Sequence, residues 1–452
     1  MQNIILDSYV AKIHYFCSKS DGSTGFEMIN LFRDISIRTK IKNIGVLVME
    51  NGSFEYGKSN QTFLKIYNQK KVLNILRNVE LSRIELSSVS SLDKKTITNI
   101  TKELLGKNQL KVIGHSTMGI GRPKEILGLN GDFTYCIGVD LGGSYISGII
   151  MDFAGEVVCS HHVELSNHME PDTLINISFN LIDNLLKKAS MDLEQIEGIG
   201  ISIPGFIDKA TGLLILSENL PEWFNIPLKQ IFEERYGLDT YIDDCSRLMA
   251  KAELWYGKGK GVKDFLVFDL GLGIGCGIVI DQKIYAGASG KSGEVGHTVV
   301  DVNGPLCTCG RYGCIESLAS EWALLQQVNE ALKNGTETIL RQVMGESKES
   351  PTVRDIALAA ELGDDYSTDL LIHTGKYIGV GISNAIGLFN PSKVIINGRL
   401  VHDNELLLNT ILDTIKIETM PQIYEDTVIE ESDIGLLASA IGAATLCLKK
   451  YY

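Results

Sequence analysis

One histidine and three cysteines fall at short intervals, His297-x9-Cys307-x-Cys309-x4-Cys314, with Gly304, Gly310 and Gly313 to bend the chain between them. An imidazole and three thiolates supply the four soft ligands of a closed tetrahedral zinc site. Because protein fills every position, such a zinc is structural and keeps no place for water. Two glycine turns follow apolar strands, in Val139-Asp-Leu-Gly-Gly-Ser144 and Phe268-Asp-Leu-Gly-Leu-Gly273. Turns of this kind let successive amide N–H groups approach an anion closely. Asp140, Gly142, Gly143, Ser144, Gly271 and Gly273 are therefore candidates for gripping a phosphate chain from two sides, with ordinary tight hairpins as the alternative. Asp244 ends an apolar strand just before a helix that begins near Ser246. A carboxylate there either caps the helix or accepts the proton of a hydroxyl attacking a phosphoryl group.

The elements that must position these groups form a repeat. Strands are expected at 136–140, 145–152 and 156–164, a helix at 174–188, and buried strands at 198–203 and 240–244. A second round follows, with strands at 265–269, 277–280 and 283–286, helices at 321–332, 372–389, 405–416 and 438–446, and a strand at 394–396. In each round an apolar strand, an aspartate, a glycine turn and a returning strand come in the same order. Two such α/β halves imply a two-lobed molecule with a ligand-binding cleft between the lobes.

The chain has 452 residues and a net charge of −14, a balance that by itself argues against a nucleic-acid partner. The average conceals a segment of opposite sign. Residues 61–130 carry twelve Lys and Arg against five acids, a net +7, which leaves −21 for the rest. In the same segment Phe63, Ile66, Val72, Ile75 and Leu76 are spaced for one helix face, and Ser82-Arg-Ile-Glu85 has the spacing of a capping box. Asp93 can cap a third helix that turns Ile97, Ile100 and Leu104 inward and Lys94, Lys95, Thr96, Thr98, Asn99 and Lys102 outward. Strands at 110–113 and 125–129 flank the turn Gly119-Ile-Gly-Arg-Pro123. This order is that of a winged helix-turn-helix, whose third helix enters the major groove while a basic hairpin lies on the backbone or minor groove. Arg83 and Arg122 complete the expected DNA-contacting set.

The segment Gly293-Glu-Val-Gly-His297, followed by Cys307-Thr-Cys-Gly-Arg-Tyr-Gly-Cys-Ile-Glu316, resembles the signature of the ROK family of repressors, open reading frames and kinases. Asp140-Leu-Gly-Gly-Ser144, Gly200-Ile-Ser-Ile-Pro-Gly205, Asn219-Leu-Pro-Glu-Trp223, Gly273-Ile-Gly-Cys-Gly277 and Asn390-Pro-Ser-Lys-Val394 agree with it. The 61–130 segment is similar only to the repressor branch, that of the xylose and N-acetylglucosamine repressors. The resemblance implies an actin/hexokinase-like (ribonuclease H-like) fold with a sugar in the cleft. Asp244 then falls on the catalytic aspartate, Asp243 and Asp244 are expected to face the sugar as two adjacent carboxylates, and Glu294, His297 and Glu316 fall on sugar-hydroxyl contacts. His297 would serve both metal and sugar, one ring nitrogen for each. Three positions depart from the family's kinases. Leu272 stands where a hydroxyl residue is usual, Tyr145 where lysine is frequent, and Asp243 where asparagine is usual.

The expected architecture is thus α/β: an extension of no assigned role over 1–60, a winged helix-turn-helix over 61–130, and a sugar-binding ROK domain over 131–452. Its first lobe covers about 131–253 plus 435–452, and its second about 254–434. The expected function is a sugar-responsive DNA-binding regulator, a repressor released by its sugar, with an ATP-dependent sugar kinase carrying a DNA-binding head as the alternative. Zinc is the expected cofactor, with ATP and Mg²⁺ only if kinase activity survives. The expected partners are double-stranded operator DNA, a sugar or sugar derivative, and a second copy in a homodimer or dimer of dimers. With no apolar run long enough for a membrane helix and no secretory signal, the chain is expected in the cytoplasm. The six other cysteines, Cys17, Cys136, Cys159, Cys245, Cys276 and Cys447, read as small buried hydrophobes rather than a disulfide framework.

Overall fold

The computed structural model describes residues 58–116, 123–165, 170–217, 220, 222–345 and 350–452. Residues 1–57 of the N-terminal extension, including the Asn51-Gly52 pair, whose sequence suggests a hairpin turn, and Asn219 and Pro221 of one family motif lie outside them. So do residues 117–122, which hold most of the Gly119–Pro123 turn and Arg122. Two compact units divide the chain, Met1–Lys65 and Ile66–Tyr452.

The basic segment begins with α1 (Lys58–Asn78), β1 (Leu81–Ser82), α2 (Arg83–Ser90) and α3 (Lys94–Gly106), and continues through β2 (Leu110–Ser116) and β3 (Lys124–Leu129). The capping box at α2 is formed, with Ser82 accepting from the Glu85 amide and Glu85 Oε2 accepting from the Ser82 amide at 2.8 Å. Asp93 caps α3 by accepting from the Thr96 amide at 2.9 Å, so α3 starts where its face is set correctly. Ile97, Ile100 and Leu104 are buried with Val72, Leu76, Leu86 and Leu127, while Lys94, Lys95, Thr98, Asn99 and Lys102 face outward. The strands join antiparallel in the order β1-β3-β2. The five-residue apolar face expected of α1 is shorter than its spacing suggested. Val72 and Leu76 are buried, but Phe63 is 65% exposed and Ile66 49%.

Beyond Asn130 come β4 (Tyr135–Leu141), β5 (Tyr145–Asp152), β6 (Val157–Glu164), α4 (Pro171–Ala189) and β7 (Ile196–Ser202). The small antiparallel sheet β8 (Phe206–Asp208), β9 (Leu213–Leu216) and β10 (Phe224–Ile226) follows, then α5 (Leu228–Tyr236), β11 (Thr240–Asp243) and α6 (Cys245–Tyr256). The second half holds β12 (Phe265–Leu270), β13 (Ile274–Ile280), β14 (Lys283–Ile284), α7 (Ile315–Ala319), α8 (Glu321–Lys333), α9 (Val353–Glu361), α10 (Asp365–Phe389), β15 (Lys393–Asn397), α11 (Glu405–Glu418), β16 (Val428–Glu431) and α12 (Ala438–Leu448).

The repeat read from the sequence is a repeat of topology. One five-stranded sheet runs β11-β7-β4-β5-β6, the other β16-β15-β12-β13-β14. In each, the first strand of the round pairs antiparallel with the strand that returns from its glycine turn and parallel with a later strand. This is the actin/hexokinase-like sugar-kinase fold. Helices α6 and α12 pack together between the sheets, and glycines set the distances. A Cβ on Gly442 of α12 would strike the Leu248 carbonyl of α6, and one on Gly277 of β13 would strike the Ser246 carbonyl of α6. No described helix is long and apolar enough to cross a membrane.

Candidate functional site: a cleft between two glycine turns

The two glycine turns meet across a cleft of about 1080 Å³, counting the part open to solvent, lined by Asp140, Gly142, Gly143, Asp244, Gly271 and Gly273 as expected. Ser144, between the lining residues Gly143 and Tyr145, does not itself line the cleft, and its hydroxyl is buried without a hydrogen-bond partner. The Leu272 side chain points from the second turn onto Gly143 of the first, leaving no room there for a Cβ. Apolar atoms thus stand between the two phosphate-type turns.

Asp140 is buried at the end of β4, where Ser202 donates to one oxygen at 2.6 Å and the Tyr145 hydroxyl to the other at 2.7 Å. Burial outweighs both bonds and raises its pKa. Asp244 is the N-cap of α6, accepting from the Arg247 amide at 3.1 Å, and it also lines the cleft. Capping and facing the ligand, alternatives in the sequence, are compatible in one residue because a carboxylate has two oxygens. Burial raises the Asp244 pKa as well.

Asp243 behaves differently from its neighbour. Its two oxygens accept from Arg247 Nε at 2.9 Å and Lys209 Nζ at 2.6 Å, and it does not line the cleft. Although burial opposes ionisation, Arg247 and Lys209 hold its pKa below the usual value. The expectation of two adjacent carboxylates facing the ligand is therefore corrected: the structure turns Asp244 to the cleft and pairs Asp243 with cations behind it.

One residue escaped the sequence reading. Asp269, the counterpart of Asp140 in the second round, lines the cleft, and burial together with Asp140 and Asp244 pushes its pKa up to about 7. The repeat carries the signal, because Asp269 holds in the second round the place that Asp140 holds in the first. Cys245 also lines the cleft, unlike the purely structural cysteine expected; Cys136, Cys276 and Cys447 are buried.

Glu294, His297 and Glu316 line the same cleft. Glu316, on the first turn of α7, accepts from the Ile274 amide at 3.0 Å, and its other oxygen is 3.8 Å from His297 Nε2. The opposite ring nitrogen, Nδ1, lies 3.5 Å from Cys307 Sγ, and Cys309 Sγ lies 3.7 Å from Cys314 Sγ. Ligand atoms of all four residues fall within 4.8 Å of one another, a cluster able to hold a metal ion. A tetrahedral zinc, at ~2.3 Å from sulfur and ~2.05 Å from nitrogen, spaces its ligands about 3.8 Å S to S and about 3.6 Å S to N. The cluster is compatible with that geometry.

The expected DNA-contacting residues divide into two groups. Lys94, Lys95, Asn99 and Lys102 form one exposed face of α3. Thr96 donates to Asp93 at 2.6 Å and Thr98 to the Lys94 carbonyl at 2.7 Å, so their hydroxyl protons are used within the helix. Arg83 departs from expectation, since its guanidinium is tied to Thr101 Oγ1 at 3.0 Å and Glu125 Oε2 at 2.6 Å, bracing α2 against α3 and β3. Arg122 lies outside the described residues.

Comparison with known proteins agrees with this geometry. A xylose repressor of Caldicellulosiruptor bescii is 33% identical over 390 residues, covering 86% of this chain and 97% of that protein. A crystal structure of a ROK family transcriptional regulator, a homologue of the Escherichia coli MLC protein, superposes with a TM-score of 0.69 at 27% identity, covering 86% and 97%. A ROK family glucokinase from Streptomyces griseus, in complex with glucose and AMPPNP, gives 0.62 at 27% identity, covering 99% of that chain but 70% of this one. The family model for ROK matches residues 136–450, and with the cleft, the cluster and the doubled sheet in agreement, this chain belongs to the ROK family.

Proposed function

We propose that this chain is a sugar-responsive DNA-binding transcriptional regulator, a repressor of carbohydrate-use genes released when a sugar binds its cleft. One observation carries the reading. The regulator and repressor relatives match about 86% of the chain, whereas the glucokinase matches 70% while itself covered almost completely, so the basic segment is what this chain shares with regulators. That segment is read as a winged helix-turn-helix: α3 is the recognition helix, Lys94, Lys95, Asn99 and Lys102 reach the duplex, and the paired strands β2 and β3 belong to the wing. Two copies on a palindromic operator are the expected assembly.

In the cleft, Asp244, Glu294, His297 and Glu316 would receive sugar hydroxyls, which act as donors and acceptors at once. His297, Cys307, Cys309 and Cys314 would hold a structural zinc, which when bound fixes the His297 tautomer and leaves Nε2 toward the cleft beside Glu316. The kinase reading is kept by Asp244, a carboxylate at the position a phosphoryl-accepting hydroxyl needs. Against it stand Leu272 packed onto Gly143 and the Tyr145 hydroxyl occupying Asp140.

The test is selection of genomic DNA fragments on the purified chain, with and without D-xylose, D-glucose or N-acetyl-D-glucosamine, beside ADP release with each sugar and ATP. A recovered duplex that is released by one sugar, with no ADP formed, is the expected result. Robust turnover without fragment recovery would reverse the ranking.

A further inference from the structure

Arg77 stands near the end of α1, and its guanidinium carbon lies 3.8 Å from the centroid of the Trp255 ring and 5.6 Å from that of Tyr452. Its Nε and Nη1 are buried without any hydrogen-bond partner, so the ring faces are what hold the charge. Lys251 Nζ is 4.3 Å from the same Trp255 ring, so two cations share one aromatic surface. From the same helix, Lys70 Nζ donates to the Lys449 and Tyr452 carbonyls at 2.9 and 3.1 Å.

Trp255 is the penultimate residue of α6, whose N-cap is Asp244 and whose first turns put Cys245, Ser246 and Met249 on the cleft. One 12-residue helix, about 18 Å long at 1.5 Å per residue, therefore begins at the candidate sugar site and ends at the basic head. It is held too closely to bend: Gly442 of α12 and Gly277 of β13 bring its backbone against theirs without an intervening side chain. Met249 faces the cleft and also belongs to the apolar cluster that contains Val72, Leu76 and Ile97 of the head.

We infer that Arg77 on Trp255 is the joint through which a shift of α6, set by the sugar in the cleft, alters the placement of the DNA-reading head. The inference rests on the functional reading above and names its mechanical link. The joint has two discrete conditions. On the ring, the guanidinium is desolvated and its charge is met by the aromatic face. Off the ring, unpaired N–H groups cannot stay buried and turn to water, loosening α1 from the lobe. A contact with so few substitutes is one whose population a modest displacement of α6 can change, and the sugar acts by favouring one condition over the other.

The experiment uses the full chain, the duplex recovered in the genomic selection, and whichever of D-xylose, D-glucose and N-acetyl-D-glucosamine weakens wild-type duplex binding most. Arg77→Met keeps the apolar stem and removes the charge. The expected result is sugar affinity within about twofold of wild type by calorimetry, with the sugar-induced change in duplex affinity cut from about tenfold to under about threefold. Trp255→Tyr, which keeps a ring, retains more of the response than Trp255→Leu. Hydrogen–deuterium exchange on the wild-type chain gives a reading that needs no variant: sugar changes the protection of segments 70–79 and 250–257 together. A responsive wild type, with unchanged coupling in folded Arg77→Met or no exchange change at either segment, overturns this inference alone. A wild type whose duplex binding ignores all three sugars removes the functional reading and the joint with it.

Discussion

Three carboxylates, Asp140, Asp244 and Asp269, line the cleft, and they differ in what neutralises them. Asp140 accepts from Ser202 and Tyr145, and Asp244 from the Arg247 amide, whereas Asp269 has burial and the other two acids against it, which lifts its pKa to about 7. An acid whose folded pKa exceeds its unfolded value holds its proton longer when folded. Stability is then lost as pH rises from about 4 through about 7, because only the unfolded chain ionises freely over that window. Asp269→Asn removes the charge at every pH. Urea denaturation is expected to find the variant more stable by on the order of 1–2 kcal/mol at pH 8, with the gain fading toward pH 4. An equal gain at both pH values would show that the Asp269 charge is not what the neighbours oppose. The same carboxylate illustrates where residue-level reading stops. Asp140 stands out by its glycine turn, and Asp269 sits in the same pattern, but only the folded cleft brings the two acids close enough to oppose each other's ionisation.

At the scale of elements, the most legible features were those written locally. The Ser82–Glu85 box, the Asp93 cap and the inward row Ile97, Ile100, Leu104 each lie within one helical turn or face, and the chain forms them as read. The zinc-type spacing and the paired strand-turn-strand units were equally local. Less legible was anything decided by a distant partner. The two-residue strand β1 exists because β3 pairs with it, a length at which periodicity carries no signal. Arg83 reads as a DNA-contacting cation, yet it braces α2 through Glu125 and Thr101, and no local pattern marks Arg77, whose half-buried guanidinium lies on Trp255. Phe63 and Ile66 fitted a helix face that packing does not use. For α3 the local reading carries a prediction. With Ile97, Ile100 and Leu104 locked inward, Lys94 and Lys95 have one direction in which to point, and replacing both with Ala is expected to weaken duplex binding about tenfold. The slope of log affinity against log salt should fall by about 1–2, as lost phosphate contacts require. Unchanged affinity and slope, measured by fluorescence anisotropy across a salt series, would move the recognition surface off α3.

Across the whole molecule, the His297–Cys314 cluster and the basic segment sit in different bodies of packing, and that separation makes removal of the proposed metal informative. The residues between His297 and Cys314 have little regular structure of their own: two isolated bridges, Val299 to Cys314 and Leu306 to Tyr312, and turns at Gly304, Gly310 and Gly313. Four ligands closing on one ion would hold that loop, and Cys314 is also the N-cap of α7, which carries Glu316 into the cleft. Freed of metal, the loop would lose the cross-link that fixes both His297 and Glu316, the two groups expected to meet the sugar. The basic segment packs elsewhere. Val72, Leu76, Leu86, Ile97 and Leu104 pack with Met249, Trp255 and Ala440, in a cluster distinct from the one around Ile315, Ile378 and Ile396 beside the metal loop. The purified chain is therefore expected to carry about one zinc per copy by atomic absorption, the number a single four-ligand site holds. Stripping it should lower sugar affinity at least tenfold while duplex affinity without sugar stays within about twofold, since a ligand site and a remote body of packing lose different contacts. If duplex binding collapsed in parallel with sugar binding, the metal would be holding the whole fold together and not one wall of the cleft.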